Sequence, residues 1–135
     1  MVTLHPPRQL LIELQADVRV LAGIRDQLRG WLAGVGVDGE ACEELLLVAT
    51  ELCTNAIEAT RDGEPVEVRV GFDDGALRFE VANAVDRPDG PLPPELRRGS
   101  LQERGRGLAI VRALVDTVAV STIDGRRIVR TTRFF

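Results

Sequence analysis

Apolar residues recur at helical spacing in three segments of the chain, 18–32, about 38–60 and 108–116. A period of three to four residues places the apolar side chains on one side of a helix, so the pattern predicts three amphipathic helices. Asp17 directly precedes the first segment and is expected to cap that helix. The second segment is the longest and carries a polar stripe opposite its apolar one.

Alternation of apolar and polar residues indicates strands elsewhere, at 10–14, 66–72, 77–81, 118–123 and 127–134. Asp-Gly pairs at 74–75 and 124–125 predict two hairpin turns. Asn83 is expected to end its strand and open a Pro- and Gly-rich surface loop at 86–99. Helices together with hairpins favour an α+β fold, a two-layer sandwich of a mostly antiparallel sheet covered on one face by helices.

The composition fits a single soluble domain over 1–135, with 44% hydrophobic and 28% charged residues. A net charge of −4 argues against a nucleic-acid binder. There is no apolar run long enough to span a membrane and no secretory signal pattern, so a cytoplasmic protein is expected. Cys42 and Cys53 lie about three helical turns apart, too far to bridge, and are expected to be reduced core residues.

The polar stripe of the second helix carries the first candidate chemistry. Glu51 and Asn55 are four residues apart, so their side chains share one helix face. A carboxylate accepts a proton or orients a hydroxyl, and an amide oxygen is a hard ligand suited to Mg²⁺. The alternative is an ordinary solvated helix face, although Asn is a poor choice in mid-helix for solubility alone.

A second candidate site lies ahead of the third helix, in the segment Arg104-Gly105-Arg106-Gly107-Leu108. Bare backbone amides and a helix N-terminus favour a phosphate there, and the arginines add positive charge. The alternative is a simple turn before a helix. The segment is neither a P-loop, since no Gly-Lys-Ser/Thr follows, nor a Rossmann turn, since it does not follow a strand.

These two motifs, in this order and spacing, resemble the N box and the G2 box of the GHKL ATP-binding fold, also called the Bergerat fold. The N box is matched by Glu51-Leu-Cys-Thr-Asn55-Ala and the G2 box by Gly105-Arg-Gly-Leu108-Ala-Ile-Val. The resemblance covers nearly the whole chain. It is strongest to the small anti-sigma-factor serine kinases of the RsbW and SpoIIAB type.

The resemblance implies a role for each matching residue. Glu51 would be the catalytic base for a target serine hydroxyl, and Asn55 would bind the Mg²⁺ that bridges the phosphates of ATP. Asn83 would contact the adenine. The phosphates would meet the second motif, through the residues Arg104, Gly105, Arg106, Gly107 and Leu108. The segment 86–104 would be the ATP lid.

The resemblance also implies partners, namely a sigma factor and an anti-sigma-factor antagonist protein, and it allows a homodimer. Two departures from the family pattern keep an alternative open. Asn83 stands where the family carries an Asp, and the glycines that follow that Asp are missing. The alternative is a GHKL-fold docking regulator that binds nucleotide weakly or not at all and has no kinase activity.

Overall fold

The computed structural model of the chain describes residues 8–85 and 105–135. Within these residues, five strands form one sheet and three α-helices pack against one of its faces. The strands are β1 (Gln9–Leu14), β2 (Val66–Asp73), β3 (Ala76–Ala84), β4 (Thr117–Ile123) and β5 (Arg126–Phe134), and the helices are α1 (Leu21–Gly34), α2 (Gly39–Ala59) and α3 (Gly105–Leu114). The sheet order is β1-β2-β3-β5-β4, with every neighbouring pair antiparallel. The predicted α+β sandwich is confirmed.

The core lies between the sheet and α2, the helix that contacts both α1 and α3. Val66, Val68 and Val70 on β2 are buried, whereas Glu67 and Arg69 between them are exposed. This alternation follows from the two-residue period of a strand with one covered face. The apolar stripe of α2 packs against that face, with the buried residues Cys42, Leu45, Leu46, Val48, Ala49, Leu52, Cys53, Ala56 and Ile57.

Both predicted hairpin turns are present. Asp74 and Gly75 have φ values of 50° and 72°, and Asp124 and Gly125 have 51° and 75°. Two consecutive residues with positive φ are typical of the turn whose twist matches that of paired strands. The Asp-Gly pairs therefore fix the register of β2 with β3 and of β4 with β5.

Three predicted boundaries differ from the structure. Asp17 caps a 3₁₀ turn at Val18–Val20 by accepting the Arg19 backbone N–H at 2.9 Å, and the first α-helix begins only at Leu21. The prediction that Asn83 ends its strand is wrong, because β3 continues to Ala84 through pairing with β5. The ladder of hydrogen bonds and the burial of this end outweigh the turn preference of Asn.

The third difference concerns α3, which begins at Gly105 rather than at Leu108. The glycines of the second motif thus form the first turn of the helix instead of a loop ahead of it. The first N–H groups of a helix have no partner within it, so the backbone donors of these residues are not used by α3 itself. The predicted loop at 86–99 and the predicted lid at 86–104 lie outside the described residues.

The connection after α2 brings two predicted site residues to one end of the molecule. α2 ends at Ala59 and a short turn leads directly into β2 at Val66. Glu67, the second residue of β2, pairs with Ala82 near the end of β3. The C-terminal end of α2 and the C-terminal end of β3 therefore lie on the same side of the sandwich. Among the described residues, none of the helices combines the length and apolarity needed to cross a membrane.

Candidate functional site

α2 presents Glu51 and Asn55 on its half-buried side, away from the core stripe. The threonines between and beside them do not disturb the helix. Thr50 and Thr54 each donate the side-chain hydroxyl to the carbonyl four residues earlier, at 2.8 and 2.7 Å. These hydroxyls are satisfied locally, so the polar stripe offers the Glu51 carboxylate and the Asn55 amide to neighbouring elements.

The Glu51 carboxylate lies directly over Gly107 of α3. A β-carbon built on residue 107 would overlap Glu51 Oε2 and lie 3.1 Å from Cδ. Only glycine leaves room for this contact, because real Cβ atoms do not approach other heavy atoms so closely. The two motifs, more than fifty residues apart in the chain, therefore meet in space at this pair of residues.

Arg133 of β5 fixes the direction in which α3 crosses α2. Its Nη1 lies 3.3 Å from Glu44 Oε2 on α2 and donates to the Leu114 carbonyl, at the end of α3, at 3.4 Å. The C-terminus of α3 is thus near Glu44, while its first turn is near Glu51. α3 therefore runs antiparallel to α2, and its N-terminus opens towards Asn55.

Asn55 carries an unsatisfied polar group at that opening. Its Nδ2 is completely buried and has no hydrogen-bond partner among the described residues. Leaving a buried donor or acceptor unpaired costs about 1–3 kcal/mol, so native structures seldom keep one without a reason. The N-terminus of α3, where Gly107 contacts Glu51 one turn before Asn55, adds the positive end of a helix dipole and backbone N–H groups without partners inside the helix. Such a combination suits an anion accompanied by a cation.

Asn83 lies on the helix-facing side of β3 and is buried. Its Nδ2 donates to the backbone carbonyl of Ala84 at 3.2 Å, and Oδ1 is the acceptor of the side chain. Its partner in the register of β5 is Arg127. Asn83 therefore stands at the same end of the sandwich as Asn55, with a cationic neighbour.

Arg127 is a candidate site residue that the sequence reasoning missed. It is only 9% exposed, and its Nε is buried without a hydrogen-bond partner among the described residues. The signal was available in the strand pattern, since Arg127 shares its face with Val129 and Thr131, which are both buried. An arginine in phase with core residues at the end of a strand is unusual, because charged side chains are rarely buried unpaired.

The remaining predicted site residues occupy different positions. Leu108 is buried in the core beside Val111, so it anchors α3 and leaves only its backbone for a ligand. Gly105 and Arg106 belong to the first turn of α3. Arg104 lies outside the described residues.

No other feature of the described part competes for metal chemistry. No group of three or more His, Cys, Asp or Glu side chains that could hold a metal ion occurs in 8–85 or 105–135. Both cysteines are free and buried, as expected. Desolvation raises the pKa of the Cys53 thiol to about 12, so this group is inert as a nucleophile or ligand at neutral pH.

A cleft of about 510 Å³ lies elsewhere, on the open face of the sheet. Its lining includes Arg69, Gly71, Arg78 and Glu80, which the strand alternation places opposite to the helices. Neither Glu51 nor Asn55 contributes to it. It is therefore separate from the site at α2 and α3, where the contact between the two motifs lies.

Comparisons with known proteins agree with this geometry. Residues 14–133 match the histidine kinase-like ATPase domain family. The serine-protein kinase RsbW of Bacillus licheniformis is 34% identical over 123 residues, covering 82% of this chain and 76% of that protein. The serine-protein kinase RsbW of Bacillus subtilis is 30% identical over 126 residues, covering 84% of this chain and 78% of that protein.

Solved structures show the same fold. The crystal structure of the RsbU and RsbW domains of Rv1364c from Mycobacterium tuberculosis matches with a TM-score of 0.69 and 25% identity, over 93% of this chain. The present chain spans about a third (32%) of that solved chain. The catalytic domain of histidine kinase ThkA matches with a TM-score of 0.54 and 17% identity, over 93% of this chain and 97% of that one. The expected GHKL-type fold is confirmed.

Proposed function

Because the chain belongs to the histidine kinase-like ATPase domain family, we propose that it is an ATP- and Mg²⁺-dependent serine/threonine protein kinase of the anti-sigma-factor type. The observation that carries the proposal is the contact between Glu51 and Gly107 at the N-terminus of α3. It puts a carboxylate beside the N-terminus of α3, a helix end that favours an anion, and Asn55 with its unpaired Nδ2 lies one turn further along α2. The naming of the relatives as serine-protein kinases supports the same reaction.

Each residue of the site has a separate role in the proposed reaction. The Glu51 carboxylate orients the hydroxyl of a target serine and accepts its proton as the γ-phosphoryl is transferred. The backbone amides of Gly105 and Gly107 hold phosphate oxygens at the end of α3, and Arg104 and Arg106 add positive charge. Positioning and charge neutralisation of this kind supply most of the catalysis in phosphoryl transfer.

The donor set at Asn55 fits Mg²⁺. This ion keeps several waters and takes few protein ligands when it binds together with phosphates, so a single amide oxygen without a carboxylate cluster suffices. A half-turn of the Asn55 side-chain amide would put Oδ1 at the buried position that the unpaired Nδ2 now occupies. That oxygen would then be the ligand of the ion. When bound, the ion neutralises charge on the transferring phosphates.

The adenine base of ATP would bind at the other end of the site, near Asn83. Asn83 would accept a hydrogen bond from the adenine amino group through Oδ1, since its Nδ2 donates to the Ala84 carbonyl. The segment 86–104 follows directly in the chain and would close over the nucleotide as a lid. Leu108 would contribute through its backbone, since its side chain belongs to the core.

The proposal extends to the cellular role. The protein would act in the cytoplasm as a single domain over 1–135, bind a sigma factor, and phosphorylate a small anti-sigma-factor antagonist protein that switches partners. It would neither bind nucleic acid nor enter a membrane, and it would be able to form a homodimer. The net charge of −4 is in keeping with protein partners rather than nucleic acid.

One observation favours a second function. Asn83 lacks the charge of an Asp, so adenine would lose one charge-assisted hydrogen bond. This loss weakens the binding of ATP by about ten- to a hundredfold. If no other contact replaces this hydrogen bond, the protein would bind nucleotide weakly or not at all and would regulate its partner by docking alone. Phosphoryl transfer is the property that separates the two functions.

The test is transfer of ³²P from γ-labelled ATP to antagonist proteins of the same organism, each purified and offered separately. Glu51→Gln removes the proton acceptor and keeps the size of the side chain, so transfer is expected to fall by ~10²–10⁴-fold. Glu40→Gln, at an exposed position in the first turn of the same helix, is the matched control and keeps wild-type transfer. Equal activity of Glu51→Gln and the wild type contradicts the assigned role.

A further inference from the structure

Arg127 is the one strongly buried arginine in the described part of the chain whose environment the proposed kinase site does not yet explain. The residue is only 9% exposed, and its Nε has no hydrogen-bond partner among the described residues. A guanidinium held away from water needs acceptors, because burying it unpaired is unfavourable. The position of Arg127 in the sheet indicates where a hydrogen-bond acceptor for its Nε would have to lie.

Arg127 stands directly opposite Asn83 in the register of β5 with β3. Directly opposed residues have Cβ atoms about 4.5–5.5 Å apart and side chains on the same face of the sheet. Both side chains are buried on the helix-facing side, at the end of the sheet where β3 stops and the predicted lid begins. They therefore form a polar pair at this end of the sheet, next to the buried apolar pair of Val81 and Val129.

The pair offers a defined pattern of donor and acceptor. The Asn83 Nδ2 is committed to the Ala84 carbonyl, which leaves Oδ1 as an acceptor. Arg127 is a donor only, since a guanidinium has no acceptor atom. A complementary ligand edge must therefore present a donor next to an acceptor.

Adenine has this edge, with the amino group at C6 beside a ring nitrogen, N1 or N7, that accepts. Guanine and hypoxanthine carry a carbonyl oxygen at C6, which would face Oδ1 of Asn83 as a second acceptor. We propose that Arg127 is a specificity-determining residue that recognises adenine together with Asn83, an inference that rests on the proposed function. The Arg127 hydrogen bond would replace the charge-assisted one that Asn83 lacks relative to a carboxylate.

The experiment measures competition against a fluorescent ATP analogue in the presence of Mg²⁺. The competitors are ATP, ITP, 1-deaza-ATP and 7-deaza-ATP. ITP reverses the donor and acceptor at C6 and N1, whereas each deaza analogue removes one ring nitrogen. Wild-type protein is expected to bind ATP at least about tenfold more tightly than ITP and than one of the two deaza analogues. The analogue that binds weakly identifies the ring nitrogen that the protein contacts, and the Arg127 variants test whether Arg127 is the donor.

Arg127→Met removes the donors and keeps an unbranched apolar side chain of similar length. This variant is expected to bind ATP about ten- to a hundredfold more weakly than the wild type and to bind ATP and the weak deaza analogue equally. Arg127→Lys keeps a cationic donor and is expected to regain part of the affinity. A thermal melt of each variant checks the fold.

The outcomes separate this inference from the proposed function. If the wild type binds ATP but does not distinguish it from either deaza analogue, Arg127 does not contact the base. If Arg127→Met weakens ATP and both deaza analogues by the same factor, its role is structural, and the inference is wrong. If folded wild-type protein binds no ATP at all, the proposed function itself fails. If Arg127→Met does not fold, Arg127→Lys decides the question, because a smaller preference for ATP over the weak deaza analogue supports the contact and an unchanged preference contradicts it.

Discussion

Replacing Gly107 by alanine tests the contact between the two motifs with a single carbon atom. The added Cβ would overlap Glu51 Oε2 and lie 3.1 Å from Glu51 Cδ, so one of the groups must move. The carboxylate is the end of a flexible side chain, and it is the part that yields. Gly107→Ala is therefore expected to turn the Glu51 carboxylate away from the N-terminus of α3 while leaving both helices in place.

The expected change in stability is small. Alanine is favoured over glycine in a helix by up to about 1 kcal/mol, and this gain offsets the repositioning of Glu51. The net change in the free energy of unfolding should stay within about 1 kcal/mol, a shift in Tm of a few degrees. The expected change in activity is much larger, because a misplaced general base loses part or all of its ~10²–10⁴-fold contribution.

The assay combines phosphoryl transfer, ATP affinity and thermal unfolding for four proteins: wild type, Gly107→Ala, Glu51→Gln and the double variant. If displacement of Glu51 causes the loss, the double variant is no slower than Glu51→Gln alone, because both changes remove the same group. Gly30→Ala is the matched control. It makes the same substitution inside α1, where a Cβ would meet nothing within 4 Å, and it keeps wild-type transfer.

Three results would refute this reasoning. Wild-type transfer by Gly107→Ala, with Glu51→Gln inactive, would mean that the contact has no part in catalysis. If the factors by which the two single substitutions lower the transfer rate multiply in the double variant, Gly107 and Glu51 act independently. Loss of the folded state in Gly107→Ala would mean that the carboxylate cannot move, contrary to the half-buried position of Glu51.

Two further predictions concern the packing around the site. Val111→Ala opens a cavity where α3 is fully buried and should lower the free energy of unfolding by about 2 kcal/mol in urea, whereas Ile110→Ala, at a 39% exposed position, should change it little; equal effects would contradict the packing of α3. Alkaline pH should destabilise the protein through Cys53, whose pKa rises from 9.0 to about 12 on folding. The unfolded state then loses this proton first, so the free energy of unfolding falls by about 1.4 kcal/mol per pH unit between these values. The chain has no Lys or Tyr, and burial also raises the pKa of Cys42. Cys53→Ala should therefore reduce this slope and the double variant Cys42→Ala/Cys53→Ala should remove most of it, whereas an unchanged slope in Cys53→Ala would contradict the assignment.

The parts of the fold that local chemistry determines were predictable from the sequence. The apolar stripe of α2, the alternation in β2 and the two Asp-Gly turns each follow from short-range patterns. Glu51 and Asn55 were identifiable for the same reason, because a helix places residues four apart on one face. The proximity of Glu51 and Asn55 to Gly107 was predictable only from the resemblance to a family, because no local pattern indicates which segments of the chain meet in the fold.

The features that escaped prediction depend on tertiary contacts. Asn83 prefers turns, yet pairing with β5 keeps it within β3. The glycines at the start of α3 have low helix propensity, so the pattern alone favoured a later start of the helix. Arg127 was overlooked because arginine is normally exposed, although it alternates in phase with Val129 and Thr131 on the covered face of the sheet.

Calorimetric titration with ATP and Mg²⁺ tests the central claim most directly, namely that the residues around Asn55 and the N-terminus of α3 form a nucleotide site. The wild type is expected to bind with micromolar affinity, and either Asn55→Ala or removal of Mg²⁺ by chelation should weaken binding tenfold or more. Absence of binding by folded wild-type protein at millimolar ATP, or an unchanged Kd in Asn55→Ala, would contradict it.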